Sequence, residues 1–215
     1  MTTDQAQTRS SAEMFFDPLC PWAWMTSRWL LQVEQVRPVD ITWSVMSLSV
    51  LNENREGLPD SYKAMLSRGW APVRLVIAAA REHGDEVKKA LYDAIGHRFH
   101  LEQRGQDEAS QREVLQEALA EVGLPADLIR FADNVPGDDI DQLLRASHQR
   151  AIDLVGDDVG TPVVAVEGTA FFGPVVTPAP KGEAAGKLWD GCLLVAATPG
   201  FYEIKRTRSV GPDFS

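Results

Sequence analysis

The feature that most constrains this chain is the stretch from Asp60 to Val155, where helical patterns follow one another without a convincing strand while strand patterns stand on both sides. Apolar residues recur at helical spacing over Tyr62 to Arg68, Val73 to His83, Glu86 to Gln103, Ser110 to Val122, Ala126 to Ala132 and Asp139 to Val155. Gly69, Gly84, Gly105, Gly123 and Pro136-Gly137 punctuate these segments, and Leu124-Pro125 opens another helix. Upstream, Met14-Phe15-Phe16 reads as a short strand, Trp24 to Val36 as a helix, and Ile41 to Met46 alternates as a strand does. Downstream, Val163 to Val166 and Thr169 to Phe172, joined at Glu167-Gly168, read as a hairpin. A helix over Glu183 to Ala197 comes next, and Phe201 to Thr207 suits an additional edge strand.

The expected architecture is α/β: a strand-helix-strand unit and a hairpin form a sheet domain, interrupted by a helical subdomain. Its boundaries are a flexible tail at 1–12, the sheet domain at 13–59 and 156–208, the helical insert at 60–155 and a loose tail at 209–215. A parallel crossover from the first strand to the second brings the start of the intervening helix to the carboxyl end of the sheet.

At that helix start stands Cys20, followed by Pro21, which suits a first helical position. A cysteine there sits against unpaired backbone N–H groups and the positive end of the helix dipole, which favour thiolate over thiol. Cys20 is therefore expected to be unusually acidic, and reactive rather than a small core residue. Acidity adds little to attack, because nucleophilicity falls with pKa, but it makes Cys20 a good leaving group. Position 23 is Ala, so no local disulfide forms. The second cysteine, Cys192, lies in the small, apolar run Leu188 to Ala197 and reads as core packing.

Two cysteines in 215 residues give no disulfide framework, and residues 1–12 lack the apolar core of a signal peptide, so a reducing cytoplasm is the expected compartment. The net charge of −10 argues against nucleic acid or an anionic membrane as partner. Apolar runs such as Leu75 to Ala80 are too short to span a bilayer.

Several further residues are candidates for the site. Trp22 offers an exposed aromatic face beside Cys20, and Asn52 and Tyr62 open the helical insert where it should overhang the thiol. His97 and His100, three apart on one helix, should share a face, with His100 facing substrate or relaying protons. No further ligands stand at metal-binding spacing, so neither metal nor flavin is expected. Asp17 either caps backbone N–H groups or modulates Cys20, raising its pKa against the helix. Met65, Trp70, Leu75, Val76 and Phe99 form an apolar stripe that reads first as core, and second as the lining of a cavity for a flat substrate.

The element order, with Cys20-Pro21-Trp22 at the first helix and Gly160-Thr161-Pro162 before the hairpin, resembles the DsbA-like branch of the thioredoxin superfamily over nearly the whole chain. The resemblance implies a thioredoxin-like fold with a large inserted α-helical subdomain. It also implies a cis Thr161-Pro162 peptide beside the thiol, with the Thr161 backbone receiving substrate. Within that branch, Phe16 to Trp24 together with Thr26-Ser27-Arg28-Trp29 resembles the actinobacterial mycothiol-dependent nitroreductase subgroup, whose better-known members carry Cys-Pro-Trp-Cys. Ala23 departs from that pattern; a natural monothiol protein and an engineered Cys-to-Ala variant read identically here.

The leading expectation is thus a cytoplasmic thiol oxidoreductase. Cys20 attacks a disulfide or an electrophilic, for example nitroaromatic, substrate, and a small thiol such as mycothiol is the co-substrate. Pro21, Trp22, Asn52, Tyr62, His100, Thr161 and Pro162 contact substrate or thiol. A homodimer is compatible with such a chain. Two other readings stand beside it. One is a kappa-type glutathione transferase or 2-hydroxychromene-2-carboxylate isomerase, which shares the helical insert but usually carries Ser in place of Cys20. The other is a binding module that has lost turnover with the second cysteine.

Overall fold

The computed structural model describes residues 9–215. Four strands form one sheet in the order β2-β1-β3-β4. β1 (Ser10–Phe16) pairs in parallel with β2 (Val39–Val45) and antiparallel with β3 (Val163–Val166), and β3 pairs with β4 (Thr169–Phe172). The parallel pair requires a crossover, supplied by α1 (Pro21–Val36). The hairpin turns at Glu167-Gly168, both with positive φ, as two-residue hairpins demand.

The first strand begins before Glu13. Ser10 pairs with Val39, and Ala12 is buried in the core, so residues 10–12 belong to the sheet rather than to a tail. The remainder of the expected tail, 1–8, lies outside the described residues.

Between β2 and β3 run α2 (Leu48–Asn52), α3 (Asp60–His83), α4 (Val87–Gly96), a π-helical turn (His97–Leu101), α5 (Glu108–Glu121), a 3-10 segment (Ala126–Ala132) and α6 (Ile140–Val155). No strand lies among these residues. The two helices expected on either side of Gly69 are one, and Gly69 is not a break. A Cβ there would stand 2.3 Å from Ser49 Oγ, so the glycine lets α3 approach α2 closely. Pro72 is also accommodated inside α3.

α7 (Glu183–Ala196) packs on α1. Trp29 of α1 is fully buried and donates its indole N–H to the Ala185 carbonyl at 3.1 Å. Burying one such indole is worth about 4–6 kcal/mol of transfer free energy. The insert joins the same core through Tyr92, whose ring stacks on Phe16 with centroids 4.0 Å apart, and through Trp24, which stands edge-on to Tyr92. Arg28 reinforces this contact by pairing with Asp93 while lying 4.0 Å over the Trp24 ring.

Phe201 to Thr207 forms no strand. Tyr202 and Ile204 are 95% and 76% exposed, and the segment does not pair with the sheet although β4 stands at its edge. The segment expected to be a loose tail also packs, since Phe214 lies against the core.

Candidate active site

β1 runs out at Phe16, and Asp17-Pro18-Leu19 turns the chain into α1. Cys20 is the capping residue of that helix, with extended backbone (φ −81°, ψ 110°) and Pro21 in the first turn. Its Sγ accepts the Ala23 N–H at 3.4 Å, satisfying one of the unpaired donors of the helix start. The thiol in turn donates to the Thr161 carbonyl at 3.3 Å. Sheet register explains the meeting: Phe15 faces Val163 across the antiparallel pair, so the residues leading into β3 lie beside those leaving β1. Thr161 is fixed by its own hydroxyl, which donates to the Phe15 carbonyl at 2.9 Å, and the Thr161-Pro162 peptide is cis.

The acidity expected of Cys20 is not found. Only 6% of the residue is exposed, and burial pushes the thiol up to about 12. The Ala23 N–H pulls against this rise, the Asp17 charge adds to it, and the Trp22 N–H and the Arg208 charge oppose it more weakly. A helix terminus stabilises a charge by a modest amount, whereas exclusion of water penalises the whole ionised group. In this closed arrangement Cys20 rests as a thiol.

Asp17 is fully buried and both of its carboxylate oxygens are engaged. One accepts from Leu19 N–H at 2.9 Å and the other from Leu48 N–H at 2.8 Å, tying the loop before α1 to the first residue of α2. Burial raises its pKa to about 6 in spite of those two bonds. Asp17 therefore both caps backbone groups and acts on Cys20 through its charge.

His100 and His97 do not share a face. The π turn leaves His97 exposed and buries His100, whose Nε2 lies 2.9 Å from the Pro18 carbonyl. Burial lowers the His100 pKa to about 4, so the ring is neutral at pH 7 and Nε2 carries the proton it donates. The ring lies between Trp24, at 5.6 Å, and Phe214, at 5.8 Å, and so holds the active-site loop from beneath a cover. Trp22 is likewise half-buried rather than freely exposed, with the Arg208 guanidinium 5.1 Å from its ring centre. Pro21 is half-buried and Ala23 fully buried.

Tyr62 is half-buried near the thiol. Burial raises its pKa first, and the charges of Cys20 and Asp17 add to the rise. Asn52 is buried and spends its side-chain amide on the Leu48 carbonyl at 2.8 Å, a contact within α2. Leu75, Val76 and Phe99 are core, while half-buried Trp70 carries the guanidinium groups of Arg74 and Arg145. Cys192 is half-buried on α7, its thiol pushed up to about 11 by burial, and both cysteines are free.

Arg208 and Phe214 were not legible as site residues. The run Lys205-Arg206-Thr207-Arg208 is a basic stretch in an acidic chain, but nothing local says that it returns to Trp22. Thr26, whose hydroxyl donates to the Pro174 carbonyl at 2.8 Å, joins α1 to the chain after β4 and was also missed. Among the described residues no cluster of three or more His, Cys, Asp or Glu could hold a metal ion, and no helix is long and apolar enough to cross a membrane.

Comparison with known proteins adds the family. Residues 19–206 match the family described as Rv2466c-like, mycothiol-dependent nitroreductase Rv2466c. The chain is 32% identical over 203 residues to the uncharacterized protein Rv2286c of Mycobacterium tuberculosis, covering 93% of this chain and 83% of that one. Among solved structures, the probable DsbA oxidoreductase SCO1869 from Streptomyces coelicolor superimposes with a TM-score of 0.56 at 17% identity, over 95% of this chain and 97% of the other. The cytosolic disulfide reductase DsbM from Pseudomonas aeruginosa, in complex with GSH, gives 0.54 at 20% identity, over 86% and 99%. At these identities the two structures establish the fold, and the sequence match carries the rest. The chain belongs to the Rv2466c-like family of mycothiol-dependent nitroreductases on a DsbA-like thioredoxin fold, and it is a thiol-dependent oxidoreductase.

Proposed function

We propose that Cys20 is a monothiol nucleophile and that mycothiol is its partner thiol. The observation that carries this reading is the placing of the Cys20 sulfur between the Ala23 N–H and the Thr161 carbonyl, beside a cis proline, with no sulfur at position 23. A disulfide substrate laid along the Thr161 backbone presents its near sulfur to Cys20. The Cys20 thiolate forms a new S–S bond to it, the substrate's own S–S bond breaks, and the far half leaves as a thiolate. A mycothiol thiolate then attacks the substrate sulfur of the mixed disulfide and returns Cys20 as the leaving group. A second mycothiol converts the released mixed disulfide into oxidised mycothiol and free substrate thiol.

For a nitroaromatic substrate the same two thiols supply two electrons and two protons. The nitro group becomes nitroso with loss of water, and a Cys20–mycothiol disulfide remains for a further mycothiol to open. In this reading Tyr62, Trp22 and Pro162 meet the incoming substrate, and Asp17 and His100 hold the loop that carries the sulfur through their bonds to Leu19, Leu48 and Pro18. Such chemistry suits a reducing cytoplasm.

A coupled assay with mycothiol, its reductase and NADPH tests this reading across disulfide and nitroaromatic substrates. Turnover lost in Cys20→Ser, with a mycothiol adduct on Cys20 seen by mass spectrometry of the wild type, is the expected result. A thiol that stays noncovalent while substrate reacts would instead indicate transferase or isomerase chemistry. Binding without turnover would indicate a module that has kept only the scaffold.

A further inference from the structure

We propose that residues 201–215 form a strap across the mouth of the thiol site, and that Arg208 and Phe214, the side chains that pin it, determine which molecules reach Cys20. The inference rests on the reading of Cys20 as nucleophile. The pins rest on the chain to either side of Cys20: Arg208 lies over Trp22, two residues after it, and Phe214 lies on His100, which is hydrogen-bonded to Pro18, two residues before it. A third contact, Asp213 N–H donating to Thr177 Oγ1 at 2.7 Å, holds the strap to the loop after β4. The Arg208 charge also acts weakly on Cys20.

The segment has no helix or strand of its own, and residues 201–211 are exposed along their length. It is held by side-chain contacts at a few points and not by a backbone ladder, which is how segments that open locally are built. Cys20, by contrast, is 6% exposed, so an incoming disulfide must displace something to align with it. The match to the family ends at residue 206, and Arg208 and Phe214 fall beyond it. The thiol lies in the family's shared segment, whereas the two pins lie outside the matched one.

What the strap covers indicates the substrate class. Displacing Phe214 alone would bare the face of His100 while Arg208 keeps its guanidinium beside Trp22. A flat aromatic disulfide bearing an acid group matches that set: its ring replaces Phe214, and its carboxylate pairs with Arg208. A neutral aliphatic disulfide offers neither contact.

Two assays on the full chain, both in a Cys192→Ser background, test this without requiring turnover. Alkylation of Cys20 by iodoacetamide, a small neutral probe, reads access. Phe214→Ala should speed it about tenfold, the change that losing one aromatic anchor makes in an open–closed equilibrium. Reaction with 5,5′-dithiobis(2-nitrobenzoate) against bis(2-hydroxyethyl) disulfide reads preference; in each, Cys20 captures one sulfur and the other half leaves as thiolate. Arg208→Gln should lower the ratio of the two rates about tenfold, with the thiolate fraction cancelling in the ratio. Unchanged alkylation in Phe214→Ala, in a protein that still unfolds cooperatively at the wild-type temperature, would overturn the strap. An unchanged ratio in Arg208→Gln would overturn its role in selection. Undiminished mycothiol turnover in Cys20→Ser would instead remove the proposed function and leave the alkylation result standing.

Discussion

The Cys20 thiol is turned toward the Thr161 carbonyl, 3.3 Å away, and is shielded from solvent. A thiol that donates a hydrogen bond inside a dry site resists ionisation, and its acidity is regained only when the site opens to water. If Cys20 is the nucleophile, as proposed above, its turnover is coupled to access.

The first prediction concerns the resting protein. With its pKa held near 12, the Cys20 thiolate fraction grows about tenfold per pH unit throughout the neutral and mildly alkaline range. Iodoacetamide alkylation of wild-type Cys20 should keep rising past pH 9 without levelling. A plateau below pH 8 would show that the helix start outweighs burial.

A second prediction comes from Asp17 and His100, whose pH effects on stability oppose each other. The Asp17 pKa is raised to about 6 from 3.8, so its favourable contribution is present below about pH 4 and lost as pH rises through 6. The His100 pKa is lowered to about 4 from 6.5, so its contribution is present above 6.5 and lost as pH falls through 4. In the wild type the two nearly cancel across that window. Asp17→Asn removes one side, and acidification from pH 6.5 to 4 should then destabilise the variant by about 2–3 kcal/mol more than the wild type. Urea unfolding at the two pH values measures the difference, and parallel pH dependences would refute the assignment.

Gly96 provides a packing test. A Cβ there would stand 2.3 Å from the indole of Trp24, a rigid ring that is itself packed against Tyr92 and His100. Alanine improves helix propensity by about 1 kcal/mol, but overpacking at a fixed ring costs about 1–3 kcal/mol, and at this distance the clash should dominate. Gly96→Ala should lower the melting temperature and, because Trp24 lies on α1 close to Cys20, also change the alkylation rate. A stabilised variant would mean that Trp24 moves freely.

Restoring a second sulfur tests the monothiol reading. Ala23 is fully buried and its N–H is 3.4 Å from Cys20 Sγ, so a cysteine there starts one helical turn from its partner. Ala23→Cys should form an internal disulfide, detected as a cross-linked peptide. It should also release substrate without a second soluble thiol in that step, since the local thiol has a far higher effective concentration than mycothiol in solution. Two free thiols after oxidation would show that the geometry at the helix start is not that of dithiol relatives.

How much of this could be read from the sequence differs from element to element. The hairpin was legible because Glu167-Gly168 is a two-residue turn between short β-rich runs, and the helix start at Cys20 because proline suits a first turn. Gly69 misleads because glycine serves both breaks and close approaches, and only the position of Ser49 across the gap tells them apart. The edge strand at Phe201 to Thr207 fails for a different reason: β-prone residues state a preference, but side chains as exposed as Tyr202 and Ile204 gain no packing on the sheet to hold the segment at its edge. The Cys20 pKa departs from expectation in sign. The helix end that favours the thiolate is local and visible, whereas the burial that opposes it is assembled from residues 141 positions apart and more.

The wide turn at His97–Leu101 bears on how relatives should be aligned. Its Glu102 N–H bonds back to the His97 carbonyl, five residues earlier, so the helix holds one residue more than a regular α-helix would over the same rise. Losing one residue there would close the turn to regular α winding, leaving the flanking helix in phase but re-aiming the residues inside the turn, His100 among them, away from Pro18. A relative with every residue of Cys-Pro-Trp intact but a one-residue gap at this turn would have lost the support beneath its thiol, so the reading frame of a helix is as diagnostic of this site as the motif itself.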